Sequence, residues 1–289
     1  MLWGGEKRLC ILYPLTPLCA GSGQALGAVD LPIQRERHTA WPMIQASGIK
    51  GSMRDWCENA WNDKGTAESI FGKSGETGSN WAGAITVTDA RILFFPVRSN
   101  VSPFVHVTCP AVLRRLSEDL ELLGYNPLPG VPQLSNSDES LALIESMPAQ
   151  VILEDIVTNV KNNTRLDSLK NFVKNYVPSV KKALIVSDDI FGYLVRTATE
   201  VQAHIAIDDA SGTTKDGSLR YQEYLPSDSV LYFLAFFSDV RASGVNIKAK
   251  DVASKVTMDG VCSHIQIGGD FTLGKGICKV QWVNGGSKQ

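Results

Sequence analysis

Apolar positions along the chain fall into short blocks of changing period, and each period predicts an element. Residues 8–15 (RLCILYPL) form an apolar run ending at Pro14, a first strand. Residues 16–46 hold neither a helical nor a strand period. A loop of about thirty residues inside a compact domain is usually functional or disordered. Ser47 is placed to cap a helix with apolar positions at Ile49, Met53, Trp56 and Ala60. Residues 84–95 (AITVTDARILFF) read as one or two strands, stopped by Pro96. Thr108 and Pro110 open a helix with Val112, Leu113, Leu116, Leu120 and Leu123 at helical spacing, and Gly124 ends it. Residues 125–150 are rich in Pro, Gly and Ser and read as a surface insertion, extended to 125–180 with a short helix at about 167–176 before Pro178.

Further on, Thr197, Thr199, Val201, Ala203, Ile205 and Ile207 alternate with a mostly polar set. A turn at Asp208–Gly212 follows, and a strand returns through Leu219 and Tyr221, so 195–224 predicts a long hairpin. Val230–Phe237 is apolar at every position, as a central strand requires. The stretch 265–283 reads as strand, Gly-rich loop and last strand. Strands and helices without βαβα regularity predict a single α+β domain over 1–289, an antiparallel sheet with helices packed on one face.

The chain has 289 residues, 44% hydrophobic and 20% charged, enough for a substantial core. Its 28 basic and 30 acidic side chains give a formal charge of −2. That balance excludes a polybasic protein held to nucleic acid by scattered cations, so any nucleic-acid site is a local patch. No apolar run approaches the ~18 residues that span a bilayer. The N-terminus lacks the order of a signal peptide, and the six cysteines form no CxxC pair, so reduced thiols and a cytoplasmic location are expected.

Two clusters carry candidate chemistry. Between 35 and 54, Arg35, Arg37, Lys50 and Arg54 face only Glu36, a local +3, with His38 beside them. Lys50 and Arg54 are four residues apart on the expected helix and share a face near its first turn, where the helix dipole already favours an anion. The pattern suits a bound phosphate; a solvated helix face is the plainer alternative. The second cluster, Gly269-Asp-Phe-Thr-Leu-Gly274-Lys275, matches seven positions of a phosphate-binding P-loop. Gly276 stands where that motif needs a metal-binding hydroxyl, and a strand pattern follows instead of a helix. A tight turn, or close approach to a nucleic-acid backbone, remains.

The string GAVDLPIQRERHTAWPMIQASGIKGSMRD (27–55) is joined by IFG (70–72), TDARILFFPVRS (88–99), VTCP (107–110), EYLP (223–226) and the closing IQIGGDFTLGKG. Together they resemble the RAMP superfamily, specifically the backbone subunits of type III-B CRISPR effector (Cmr) complexes. The resemblance implies a modified ferredoxin-like, RRM-type palm with a β-hairpin thumb at 195–224. It also implies a catalytic and guide loop at 16–46. Several copies would stack as a homo-oligomeric filament along a guide RNA, beside other Cmr subunits and away from any membrane. Ser47, Lys50, Gly51 and Arg54, with Gly269, Gly274, Lys275 and Gly276, would hold the guide backbone, joined by Arg35, Arg37 and His38. Sequence readout would rest on guide–target pairing.

The family is also tied to cleavage of the target RNA through the loop carboxylate, here Asp30, which implies Glu223 and Tyr224 as catalytic residues with it and Mg²⁺ or another divalent metal at Asp30. Attack by the RNA's own 2′-hydroxyl needs that oxygen activated and in line with the scissile bond, which a displaced nucleotide can reach. Two departures stand out. Cys19 occupies the place where the family often has His, and Gln222 replaces one of an acidic pair, leaving Glu223. A thiol is a poor substitute for imidazole as a proton shuttle. A structural backbone without nuclease activity is the competing expectation.

Overall fold

The computed structural model describes residues 5–73, 80–128, 130–134, 138–162 and 166–284. The first strand, β1 (Glu6–Pro14), is followed by the long loop, a short β2 (Met43–Ile44) and helix α1 (Ala46–Trp61). Helix α2 (Lys64–Phe71), the short pair β3 (Gly72–Lys73) and β4 (Trp81–Ala82), β5 (Ile85–Val87), β6 (Ala90–Arg98) and β7 (Phe104–Thr108) come next. Helix α3 (Pro110–Leu122) leads to β8 (Glu139–Ala142), β9 (Gln150–Leu153), β10 (Ile156–Asn162), α4 (Asp167–Tyr176) and β11 (Ala183–Ile185). The chain closes through α5 (Asp188–Thr197), β12 (Glu200–His204), β13 (Arg220–Tyr224), β14 (Val230–Phe237), α6 (Ala249–Ser254) with a π-helical turn at Lys255–Gly260, β15 (His264–Gln266) and β16 (Ile277–Asn284).

One large sheet runs in the order β15-β16-β1-β14-β6-β7-β11-β8-β10-β9. It is mixed: most neighbours are antiparallel, but β7 pairs with β11, and β8 with β10, in parallel. β14 lies between β1 and β6 and is buried along its whole length, as its unbroken apolar run requires. No helix among the described residues is long and apolar enough to cross a membrane.

Four local expectations need correction. Helix α1 starts before Ser47: its N-cap is Gln45, and Asp89 rather than a capping side chain accepts from the Ala46 N–H at 2.7 Å. Its inner stripe is Ile49, Met53 and Cys57, while Trp56 and Ala60 lie outside. Pro96 does not stop β6. It pairs opposite His106 beyond the part of β6 laddered to β14, where the missing N–H costs no ladder bond. Residues 139–162 are not a surface insertion, because β8 is buried between β11 and β10. Finally, Thr197 belongs to α5, not the hairpin. Ser187 caps that helix, accepting from the Ile190 N–H at 3.2 Å, and Phe191, Leu194 and Val195 face inward.

Candidate active site and RNA interface

The long loop earns its order by pairing with the hairpin. It doubles back so that Gly21 bridges Ile33, with Gln34 N–H donating to Ala20 O at 2.7 Å. Its outer limb then lies beside β13 as an added parallel strand. Asp30 and Leu31 N–H both reach Tyr221 O at 3.1 Å, Leu31 bridges Gln222, and Glu223 N–H donates to Leu31 O at 3.0 Å.

Asp30 stands at the end of that pairing and is exposed. Its Oδ2 accepts from the Tyr221 N–H at 2.7 Å. One carboxylate oxygen is therefore held by the backbone while the group stays open to solvent, a geometry suited to a base or an RNA contact. Among the described residues no group of three or more His, Cys, Asp or Glu side chains could hold a metal ion. The chain by itself therefore forms no divalent-cation cage around Asp30.

Glu223, expected beside Asp30, is held by three hydrogen bonds. It is buried; Oε1 accepts from Arg35 Nη2 at 2.6 Å and Thr199 Oγ1 at 2.7 Å, and Oε2 accepts from the Ile33 N–H at 3.0 Å. Arg35 Nη1 donates to the Ala40 and Val195 carbonyls at 2.8 and 2.9 Å. Together the two side chains pin the loop to the hairpin base. Arg37 and His38 are exposed one turn further on.

Tyr224 is also buried. Its hydroxyl donates to Asp270 Oδ2 at 3.0 Å and lies 3.1 Å from His204 Nε2. Burial, then the Asp270 carboxylate, raise its pKa well beyond the usual phenol range, so it stays protonated. Gln222 Nε2 donates to the same Asp270 oxygen at 2.7 Å and to Cys19 Sγ at 3.0 Å. Burial pushes the Cys19 thiol above its ordinary value; the Gln222 hydrogen bond acts the other way without prevailing. The departures at Cys19 and Gln222 thus meet in one polar knot, in which the Gln222 amide bridges the Cys19 thiol and a carboxylate.

That carboxylate belongs to the Gly-rich loop. Asp270 adopts a left-handed backbone (φ 59°) and opens the short turn Phe271–Leu273. Two glycines there are dictated by packing: a Cβ on Gly268 would lie 2.2 Å from Cys19 O, and one on Gly276 would lie 2.0 Å from Ile267 O. Gly269 and Gly274 face open space instead. Lys275 Nζ donates to Gln202 Oε1 at 3.2 Å and lies 4.6 Å above the Tyr224 ring. The Gly loop is thereby clasped to the hairpin base.

The sequence pattern of the RAMP superfamily matches residues 11–279. The chain belongs to the RAMP superfamily. Within it, the chain is 36% identical over 285 residues to the CRISPR system Cmr endoribonuclease Cmr4 of Pyrococcus furiosus, covering 93% of each, which places it in the Cmr4 family. Its fold matches the crystal structure of oligomeric Cmr4 from Pyrococcus furiosus with a TM-score of 0.75 at 29% identity, over 98% of this chain and 99% of that one. The fold is also that of a chain in the type III-B Cmr-beta complex bound to cognate target RNA, with a TM-score of 0.77 at 18% identity, over 97% and 98% of the two chains.

In this RAMP chain, α1 gathers the other expected RNA contacts. Ser47 and Gly51 are exposed, and a Cβ on Gly51 would meet nothing within 4 Å. Lys50 is half-buried; burial first, then the Arg54 charge, lower its pKa. Arg54 Nη1 donates to Gly72 O at 3.2 Å, and no carboxylate is ion-paired with Lys50 among the described residues. Two cations one turn apart on the same face of α1 form a site that an anion would relieve. Sequence reasoning missed Thr199, Gln202, His204 and Asp270, which support the site. Asp270 lay within the quoted Gly-rich string but carried no signal beyond a spacer; only tertiary contact reveals its role.

Proposed function

We propose that this chain is a backbone subunit of an RNA-guided type III-B CRISPR effector complex and cleaves the target RNA that the guide selects. Copies would line up along the guide RNA beside other Cmr subunits, in the cytoplasm. The name of the 36%-identical relative, an endoribonuclease, supports the activity. The observation that carries it in this chain is Asp30, exposed yet fixed by the Tyr221 N–H on the edge of the hairpin.

The hairpin serves as the thumb. Val201, Ile205, Ile207, Leu219 and Tyr221 are exposed on it, an apolar surface suited to unstacked bases. A target nucleotide displaced there escapes the A-form geometry that keeps its 2′-hydroxyl out of line. The Asp30 carboxylate takes the proton of that hydroxyl as the oxygen attacks phosphorus. The bond to the 5′-oxygen breaks, leaving a cyclic phosphate on one fragment and a 5′-hydroxyl, protonated by water, on the other. A divalent cation at Asp30 would draw its remaining ligands from RNA phosphates and water, because the chain supplies one donor there. Lys50 and Arg54, with Ser47, Gly51 and the open face of the Gly loop at Gly269 and Gly274, hold the guide backbone.

The test is reconstitution with guide and target RNA and Mg²⁺. Target binding with a ladder of regularly spaced products supports the reading. Binding without any products would leave a purely structural backbone, the reading favoured by the protonated Cys19.

A further inference from the structure

Arg115 of helix α3 reaches the long loop. Arg115 Nη1 donates to both carboxylate oxygens of Glu36, at 3.0 and 2.9 Å. Its guanidinium lies 4.8 Å over the Trp41 ring, and Trp41 packs edge-on against Phe191 of α5 at 5.2 Å. The turn it grips is closed on itself: Glu36 N–H donates to Trp41 O at 2.9 Å, Ala40 N–H to Glu36 O at 2.8 Å, and Thr39 Oγ1 to Glu36 Oε2 at 2.6 Å. Arg37 and His38 project from this turn, and the His38 side chain is 71% exposed.

The remaining contact decides the chemistry of His38. Arg115 Nη2 lies 3.0 Å from His38 Nε2. A guanidinium has donors only, so Nε2 must be the acceptor, and the imidazole proton sits on Nδ1. Glu36 Oε2 is 3.7 Å from the same nitrogen and would favour a proton there. That oxygen already accepts from Arg115 and Thr39 at shorter distances, so the guanidinium prevails.

We propose that Arg115 is a positioning residue, which fixes His38 as the Nδ1–H tautomer so that its exposed edge donates a hydrogen bond to a guide-RNA phosphate oxygen. This deepens the RNA reading of the loop and rests on it. The two halves are tested separately. In the free chain labelled with ¹⁵N-histidine, with His38→Gln identifying the His38 signals, wild type shows Nδ1–H and Arg115→Met loses that preference. Arg115→Lys keeps a cation beside Glu36 and the fold, yet loses the fork that reaches both partners, and its tautomer shifts likewise. A wild-type proton on Nε2, or a tautomer unmoved in both variants, overturns the proposal whatever the protein does with RNA.

In guide-RNA binding, Arg115→Lys and His38→Gln each weaken affinity by about twofold to tenfold, the range of one hydrogen bond. The double variant is no weaker than His38→Gln alone, because Arg115 acts through His38. Additive losses, or no loss from either, contradict the proposal even where the tautomer behaves as expected. Neither arm depends on target cleavage, so failure of the nuclease reading leaves a distinct signature.

Discussion

The Arg35 guanidinium meets the Glu223 carboxylate at 2.6 Å at the base of the β12–β13 hairpin, with the Glu223 side chain only 8% exposed. The two side chains are thereby tied to each other across 188 positions of the chain. Glu223 also accepts from Thr199 at the start of the hairpin and from Ile33 in the loop, so the carriage of Asp30 depends on it.

Removing one member of such a pair leaves the other charge buried without a counterion. Arg35→Met is expected to destabilise the chain by roughly 3–5 kcal/mol. Replacing both partners, as Arg35→Met with Glu223→Gln, costs less than the single change. Denaturant midpoints of the three variants check this; equal losses for single and double variants would count against a shared role.

Lys50→Ala and Arg54→Ala should each weaken guide binding and flatten its dependence on salt, by about 0.7 in log–log slope for each lost phosphate contact on a single strand. An affinity titration at several salt concentrations reads both effects. Unchanged affinity and slope would remove the guide from α1.

The lowered Lys50 pKa has a second consequence. The unfolded chain holds that proton to higher pH than the folded one does. The RNA-free chain therefore gains stability as pH rises from the lowered Lys50 value toward the ordinary lysine range. Guide binding opposes the shift by favouring the charged amine. Stability against pH, compared with Lys50→Met, shows the gain in wild type only.

The glycines of the closing loop separate by role. Gly268→Ala and Gly276→Ala force a Cβ into backbone oxygens at positive φ and should lower stability with or without RNA. Gly269→Ala meets nothing within 4 Å, so thermal stability should hold while RNA affinity falls if the backbone passes there. A Gly269→Ala chain that loses stability instead would place that residue in the fold alone.

Cys19 is buried with its pKa raised, so it stays protonated at neutral pH and shuttles no proton. Cys19→Ser keeps an acceptor for Gln222 and should leave the cleavage rate within about twofold, well inside the 10²–10⁴ span of a real acid–base group. Alkylation should label Cys262, the one exposed thiol among the free cysteines, ahead of the buried ones.

Much of the scaffold was legible because its periods are clean. The β14 run, the stripe of α3 through Val112, Leu113, Leu116 and Leu120, and the strand–loop–strand close all follow from local pattern. Strand β8 was hidden because Pro and Ser around it dominate the composition, and the alternation that begins at Thr197 drew the last residue of α5 into the hairpin. Asp30, Lys50 and Arg54 were readable as candidates because their neighbours in sequence form a recognisable string. The parts played by Glu223, Arg115 and Asp270 were not. Each depends on partners far along the chain, such as Arg35 with Glu223, and no local spacing encodes such a meeting.

The proposed cleavage rests on Asp30, an exposed carboxylate held on the hairpin by the Tyr221 N–H. The most direct measurement is single-turnover target cleavage by the guide-loaded complex, wild type against Asp30→Asn, with target affinity taken from the same samples. Asparagine keeps an acceptor for the Tyr221 N–H but removes the base. Unchanged affinity and a rate lower by roughly 10²-fold or more are expected. A variant that cuts at the wild-type rate would show that the chemistry lies elsewhere.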